Sequence, residues 1–238
     1  GGWGGGGGGV NAPEWVEYLN IPVSDSATRR AYLSGYYAAV TAMDTNIGKL
    51  LDWLERNEKR ENTLVVFTSD NGMNMGHHGV YGKGNATYPL NMFEESVKIP
   101  FIMSHPERIQ AGSTDSNLLS QYDFMPTLLE YVGCDMPSGS LLPGRSFKES
   151  LCGRGPKEPE HVVVIDEYGP VRMIRTKKHK YVHRYDSGPN ELYDLENDPG
   201  EERNLIGERE WRVTEKEMQD RLVEWFSVYV DPERDGAR

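Results

Sequence analysis

An aspartate and an asparagine stand side by side at Asp70 and Asn71, followed by Gly72. Thirteen residues after Asp70 comes Lys83, set between Gly82 and Gly84. Two adjacent oxygen-bearing side chains suit a hard divalent cation such as calcium. The flanking glycines let the backbone approach a ligand, and the ammonium offers positive charge to an anion. The same residues also make a common polar turn and a solvated loop lysine, so two readings stand side by side. His77 and His78 lie between the two groups, as substrate contacts or as loop packing. Adjacent histidines in a loop do not by themselves define a transition-metal geometry.

These groups need a stiff base. The run Leu64-Val65-Val66-Phe67 is apolar and β-branched, and it reads as a buried strand of a parallel sheet. It stops at the Ser69-Asp70-Asn71-Gly72 turn, so the candidate ligands sit just past the carboxyl end of a strand, where open α/β sheets bind ligands. Upstream, Tyr36, Val40, Met43, Ile47, Leu50 and Leu54 step by three and four, predicting one amphipathic helix over 31–58 with Asp25 or Ser26 as N-cap. Asp44 falls off this stripe and reads as a surface or hydrogen-bonding residue. Downstream, 97–103 is a second strand candidate with Pro100 inside it. A short helix is expected over 123–132, with Pro126 in its first turn and Gly133 as its stop.

The tail changes character. Short strands are expected at 161–168, 171–176 and 179–185, joined by tight turns, with an edge strand at 192–195. Thr214 and Glu217 form a capping-box pattern for a last helix whose stripe is Met218, Leu222, Trp225 and Tyr229. Arg172, Arg175, His179 and His183 fall on the meander, where a solvated strand face is favoured over a substrate role. The expected organisation is a glycine-rich, irregular lead-in at 1–23, an α/β segment with the metal-site residues at 24–150, and a small α+β subdomain at 151–238.

Composition narrows the class. The chain has 238 residues, 37% of them hydrophobic, and a net charge of −11. A packed core is expected, and nonspecific binding to nucleic acid or anionic membrane is disfavoured. No apolar run approaches a membrane span. Cys134 and Cys152 read as two ordinary thiols, with pairing as the alternative. Asn85-Ala86-Thr87 fits a glycosylation pattern, a weak signal without a secretory context.

The stretch FTSDNGMNMGHHGVYGKGNATYPLNMFEESVKIPFI resembles the second metal-binding segment of the type I sulfatases, within the alkaline phosphatase superfamily. YYAAVTAMDTNIGKLLDWL resembles the helix before that strand, and LLPGRSF and ELYDLENDPGEERNL resemble later landmarks. The resemblance implies α/β architecture: part of an alkaline-phosphatase-like sheet with helices on its faces, then a small antiparallel sheet packed by a C-terminal helix. It implies a sulfuric ester hydrolase in which Asp70 and Asn71 bind calcium, Lys83 contacts a sulfate oxygen and His78, in competition with His77, touches substrate. Calcium would polarise the sulfuryl group, and the lysine would offset developing charge.

In that family the nucleophile is a formylglycine made within a C/S-x-P-x-R motif in the amino-terminal half. Neither cysteine of this chain fits the motif. Ser104-His105-Pro106-Glu107-Arg108 matches it literally, but where the family has an ordinary strand-to-turn passage. The expectation is therefore a carboxyl-terminal half, incomplete for catalysis, whose partners are the amino-terminal half and a sulfated small molecule or glycan. A periplasmic, secreted or lysosome-like compartment is suggested by the resemblance only. Two alternatives remain: a phosphodiester or phosphonate hydrolase of the same superfamily, or a non-catalytic metal- or glycan-binding fragment.

Overall fold

A computed structural model describes residues 17–18, 25–137, 139, 141–153, 160–166, 169–185, 188–233 and 235. The lead-in expected at 1–23 otherwise lies outside them. The chain divides into two compact units, the first of 1–91 and 95–111, the second of 92–94 and 112–238. This grouping differs from the domain division expected at residue 150, although the meander lies in the second part by either.

In the first unit, β1 (Glu17–Tyr18) pairs with β5 (Thr87–Tyr88). The helix α1 (Ser26–Arg56) starts earlier than its apolar period, because the cap and not the stripe sets the start. Asp25 accepts from the Ala27 and Thr28 amides at 2.8 and 2.9 Å. None of the 31 residues of α1 is buried, so its apolar stripe is at least partly exposed throughout. The strand β2 (Val65–Thr68) follows, then the two-residue strands β3 (Asn74–Met75) and β4 (Tyr81–Gly82), which pair with each other. A single helical turn, α2 (Glu94–Val97), leads into β6 (Phe101–Ser104).

β2 and β6 pair antiparallel, Val65 opposite Ser104 and Thr68 opposite Phe101. The expected parallel neighbour of β2 is not among the described residues, and Val65, Val66 and Phe67 are only half-buried. An apolar run says that both faces want cover; it does not give the direction of the neighbouring strand. Pro100 precedes β6 instead of interrupting it, which spares the ladder a missing donor.

In the second unit, α3 (Phe124–Val132) ends at Gly133, whose φ of 78° supplies the left-handed turn that stops it. A short helix α4 (Lys148–Leu151) follows. The buried Asp123 ties the intervening loop to α3 by accepting from the Arg145 amide at 2.8 Å, and the Phe147 amide donates to Thr127 Oγ1 at 3.0 Å. The strands β7 (Val162–Ile165), β8 (Val171–Arg175), β9 (His179–Arg184) and β10 (Glu191–Asp194) form the expected antiparallel meander, in the order β10-β9-β8-β7.

Alternation along the strands gives this sheet two faces. One buries Val163, Ile174, Tyr181 and Leu192 against Met218, Leu222 and Phe226 of the last helix, α5 (Arg212–Tyr229). The stripe is as expected at Met218 and Leu222, but Phe226 is buried where Tyr229 was predicted. The capping box is a correction. α5 starts at Arg212 after a 3-10 turn, its N-cap Trp211 makes no side-chain cap bond, and Thr214 already lies inside the helix.

The other face carries Lys180, which is fully buried. Its Nζ lies 2.8 Å from Glu94 Oε1, 2.6 Å from Glu201 Oε1 and 2.9 Å from the Met92 carbonyl. Arg175 adds a bond to Glu94 at 3.1 Å. Burial alone would raise the Glu94 carboxyl, but Lys180 and Arg175 overcome this and hold it below its ordinary range. Burial wins at Glu201, whose carboxyl is pushed up to about 7. No helix among the described residues is long and apolar enough to cross a membrane.

Three outcomes are expected. Gly72 packs so tightly that a Cβ there would lie 2.1 Å from the Glu95 carbonyl oxygen and 2.9 Å from that of Lys98. Backbone must therefore move, and Gly72→Ala should lose about 1–3 kcal/mol or more in chemical denaturation. Lys180→Ala removes the buried partner shared by Glu94 and Glu201 and should lose about 3–5 kcal/mol. For Glu201, only the unfolded chain ionises between about 4.5 and about 7, so this group's contribution to stability falls as pH rises through that window. Against wild type, Glu201→Gln should gain relative stability from pH 5 to pH 8. A constant difference in melting temperature would show that Glu201 is ionised throughout.

Candidate functional site

β2 ends at Thr68, and the turn Ser69-Asp70-Asn71-Gly72 projects the two candidate ligands from its carboxyl end. Asp70 is exposed. Its Oδ1 accepts from the Asn71 amide at 2.9 Å and from the Ser69 hydroxyl at 3.2 Å. The Asn71 amide does most to hold this carboxyl below its ordinary range, and the nearby Lys83 charge adds to it. Asn71 Nδ2 donates to the Gly72 carbonyl at 2.8 Å, which turns Oδ1 the other way. That oxygen accepts from Lys83 Nζ at 3.3 Å. Three residues separated by up to thirteen positions thus meet at one place.

The lysine arrives there on an irregular loop. β3 and β4 pair Asn74 with Gly82, so the chain doubles back beside the Asp70 turn. Gly82 has φ 147°, and a Cβ there would meet Ala86 Cβ at 2.7 Å. Both facts favour the residue without a side chain. The turn is held to the rest of the unit by the Gly72 amide, which donates to the Ser96 carbonyl at 2.9 Å.

The histidines gather around Glu95. His78 is buried, with φ 52°, and its Nε2 lies 3.9 Å from Glu95 Oε2. His77 is exposed, and its Nε2 lies 4.0 Å from Glu95 Oε1. Sequence reasoning missed Glu95, since an acidic residue in a charged run carries no local signal of its partner. It also missed the buried Asn74, Asn91 and Ser96; their only sequence trace is polar residues among apolar neighbours.

The literal nucleophile pattern is placed elsewhere. Ser104 lies opposite Val65, at the start of β2, whereas Asp70 lies beyond its end. Five residues of strand-like chain put them roughly 15 Å apart. Ser104 Oγ accepts from Arg60 Nη2 at 2.5 Å, and His105 opens a turn closed by the Arg108 amide.

The meander residues are not a solvated face. Arg172 is buried, with its guanidinium carbon 3.7 Å from the Phe226 ring centroid and 4.7 Å from that of Tyr185. Alternation puts it on the α5 side, where stacking on aromatic rings replaces water. Arg175 bonds to Glu94, the rings of His179 and Trp211 lie 5.8 Å apart, and His183 Nδ1 lies 2.8 Å from the Tyr181 hydroxyl. Cys134 and Cys152 are exposed free thiols, and Asp44 and Asn85 are exposed.

Two family models match this chain: Sulfatase over residues 12–134, and N-sulphoglucosamine sulphohydrolase, C-terminal, over residues 76–227. An N-acetylglucosamine-6-O-sulfatase of Bacteroides thetaiotaomicron is 35% identical over 86% of this chain and 37% of its own length. An ulvan-active sulfatase of Formosa agariphila is 31% identical over 85% of this chain and 40% of its own. A solved structure in complex with its substrate D-glucosamine-2-N,6-O-disulfate superposes with a TM-score of 0.80 at 33% identity, covering 91% of this chain and 44% of the other. A phosphonate monoester hydrolase of Agrobacterium radiobacter gives a TM-score of 0.75 at 25% identity, over 88% and 44%. The chain therefore spans well under half the length of these relatives. With a family model matching more than half of its residues, this chain belongs to the sulfatase family, within the alkaline phosphatase superfamily.

Proposed function

We propose that this chain carries part of the active site of a calcium-dependent sulfate ester hydrolase. The observation that carries the reading is the convergence of Asp70, Asn71 and Lys83 beyond β2, with Lys83 Nζ 3.3 Å from Asn71 Oδ1. An exposed carboxylate held in its ionised form and a carboxamide oxygen are the donors a hard cation takes. They fit calcium as two of the six to eight oxygens it needs; the remainder would come from outside these residues. When bound, the ion would polarise a sulfuryl oxygen.

In this chain, Asp70 and Asn71 would hold the ion. Lys83 is drawn from Asn71 Oδ1 towards the bound sulfate, since an ammonium and a cation compete for one oxygen. There it offsets negative charge on the sulfuryl oxygens and on the leaving alcohol. His78 orders the loop beneath, within reach of Glu95. The nucleophile, a formylglycine by family pattern, belongs to an amino-terminal part of the same protein. In support, α1 exposes Tyr36, Tyr37, Val40, Met43, Leu50 and Trp53, an apolar surface suited to burial by such a part. We retain 24–150 and 151–238 as the proposed domain division.

A sulfated glucosamine is the substrate class to test first, because the glucosamine-disulfate complex and the N-acetylglucosamine-6-O-sulfatase are 33% and 35% identical to this chain. The phosphonate hydrolase supports a second reading, at lower identity.

Calorimetric titration of the chain joined to a sulfatase amino-terminal part should show calcium binding that Asp70→Ala weakens strongly; heats unchanged by that substitution would refute the assignment. The chain alone should not turn over an aryl sulfate. Joined to a sulfatase amino-terminal part, it should hydrolyse the aryl sulfate faster than a phenyl phosphonate, and the reverse order would favour the second reading. In that joined enzyme, Lys83→Ala should lower kcat by about 100-fold or more, as removal of a group that stabilises transition-state charge does.

A further inference from the structure

Beneath the Lys83 loop lie three polar side chains almost wholly removed from water: Asn74, Asn91 and Ser96. Their donors run in one direction. Asn74 Nδ2 donates to Ser96 Oγ at 2.6 Å and to the Gly82 carbonyl at 3.1 Å. Ser96 Oγ donates to Asn91 Oδ1 at 2.6 Å. Asn91 Nδ2 donates to the Gly84 carbonyl at 3.2 Å and to Thr87 Oγ1 at 3.1 Å. The carbonyls on both sides of Lys83 are thereby gripped from a single chain of hydrogen bonds.

Ser96 is the hub. Its hydroxyl joins the two asparagines that hold the lysine loop. Its carbonyl accepts from the Gly72 amide and so holds the turn bearing Asp70 and Asn71. Buried polar groups are costly unless bonded, and apolar side chains would fill this space more cheaply. Among the described residues, Asn74 Oδ1 has no hydrogen-bond partner. A lysine on a long, flexible stem is placed only by its backbone, so what grips Gly82 and Gly84 decides where the ammonium can reach.

We propose that Asn74, Ser96 and Asn91 are positioning residues that set Lys83 against Asp70 and Asn71. The functional meaning of that placement rests on the reading above, but the placement itself can be measured without it. Competitive amine labelling of the full 238-residue chain, read by mass spectrometry with Lys49 as internal standard, reports the surroundings of Lys83. Ser96→Ala and Asn91→Asp should raise Lys83 labelling several-fold and leave Lys49 unchanged. Val65→Ala, a destabilising change in β2 outside the clasp, should alter neither.

If both clasp variants lower the melting temperature but leave Lys83 labelling as in wild type, the three residues serve the fold alone and the proposal fails. Should both variants unfold, hydrogen exchange of the wild-type chain decides. The Ala86 and Asn91 amides should be protected, and free exchange there would overturn the proposal. If the chain joined to a sulfatase amino-terminal part binds neither calcium nor inorganic sulfate, while labelling still responds to Ser96→Ala, that counts against the hydrolase reading and leaves the clasp standing.

Discussion

The contact on which the site depends is the approach of the Gly72 backbone to α2 and the turn that follows it. Its amide reaches the Ser96 carbonyl at 2.9 Å, and no side chain would fit in between. Because β2 and β6 are already paired, this contact closes a short circuit of chain at the end of the ribbon. The turn carrying Asp70 and Asn71 cannot swing without breaking it. Two candidate ligand side chains on a strand end are held at a fixed spacing by such closure.

Lys83 is placed differently. No regular element carries it; the two-residue strands β3 and β4 only turn the chain back. Its position comes from buried amide and hydroxyl groups that hold the backbone on each side. Polar side chains are suited to this, because they can bond irregular carbonyls that no ladder satisfies. The cost of burying them is offset by the bonds they make, and their direction is common to the whole series, which strengthens each bond.

The second unit solves a separate problem. Its four-stranded sheet has one face, apolar apart from Arg172 and two histidines, closed by α5, and one that buries Lys180. Lys180 sits where an aliphatic residue would be cheaper, held by Glu94, Glu201 and the Met92 carbonyl. The turn Asn197-Asp198-Pro199-Gly200 delivers Glu201 to that lysine with φ 52°. A surface-looking acidic motif thus supplies a buried hydrogen-bond partner for Lys180.

Much of this was legible in the sequence. The α1 stripe, the Asp25 cap, the Gly133 stop and the meander all follow from local periodicity and residue chemistry. These depend on neighbours within about one turn or one strand, which sequence displays directly. What tertiary structure alone decided was partnership at long range. It set β2 antiparallel to β6, took Ser104 to the far end of that ribbon and joined Lys83 to Asn71. It drew both histidines to Glu95, stacked Arg172 on Phe226 and buried Asn74, Asn91 and Ser96 together. Each of these turns on which distant groups exclude water from one another, and no pattern along the chain records that.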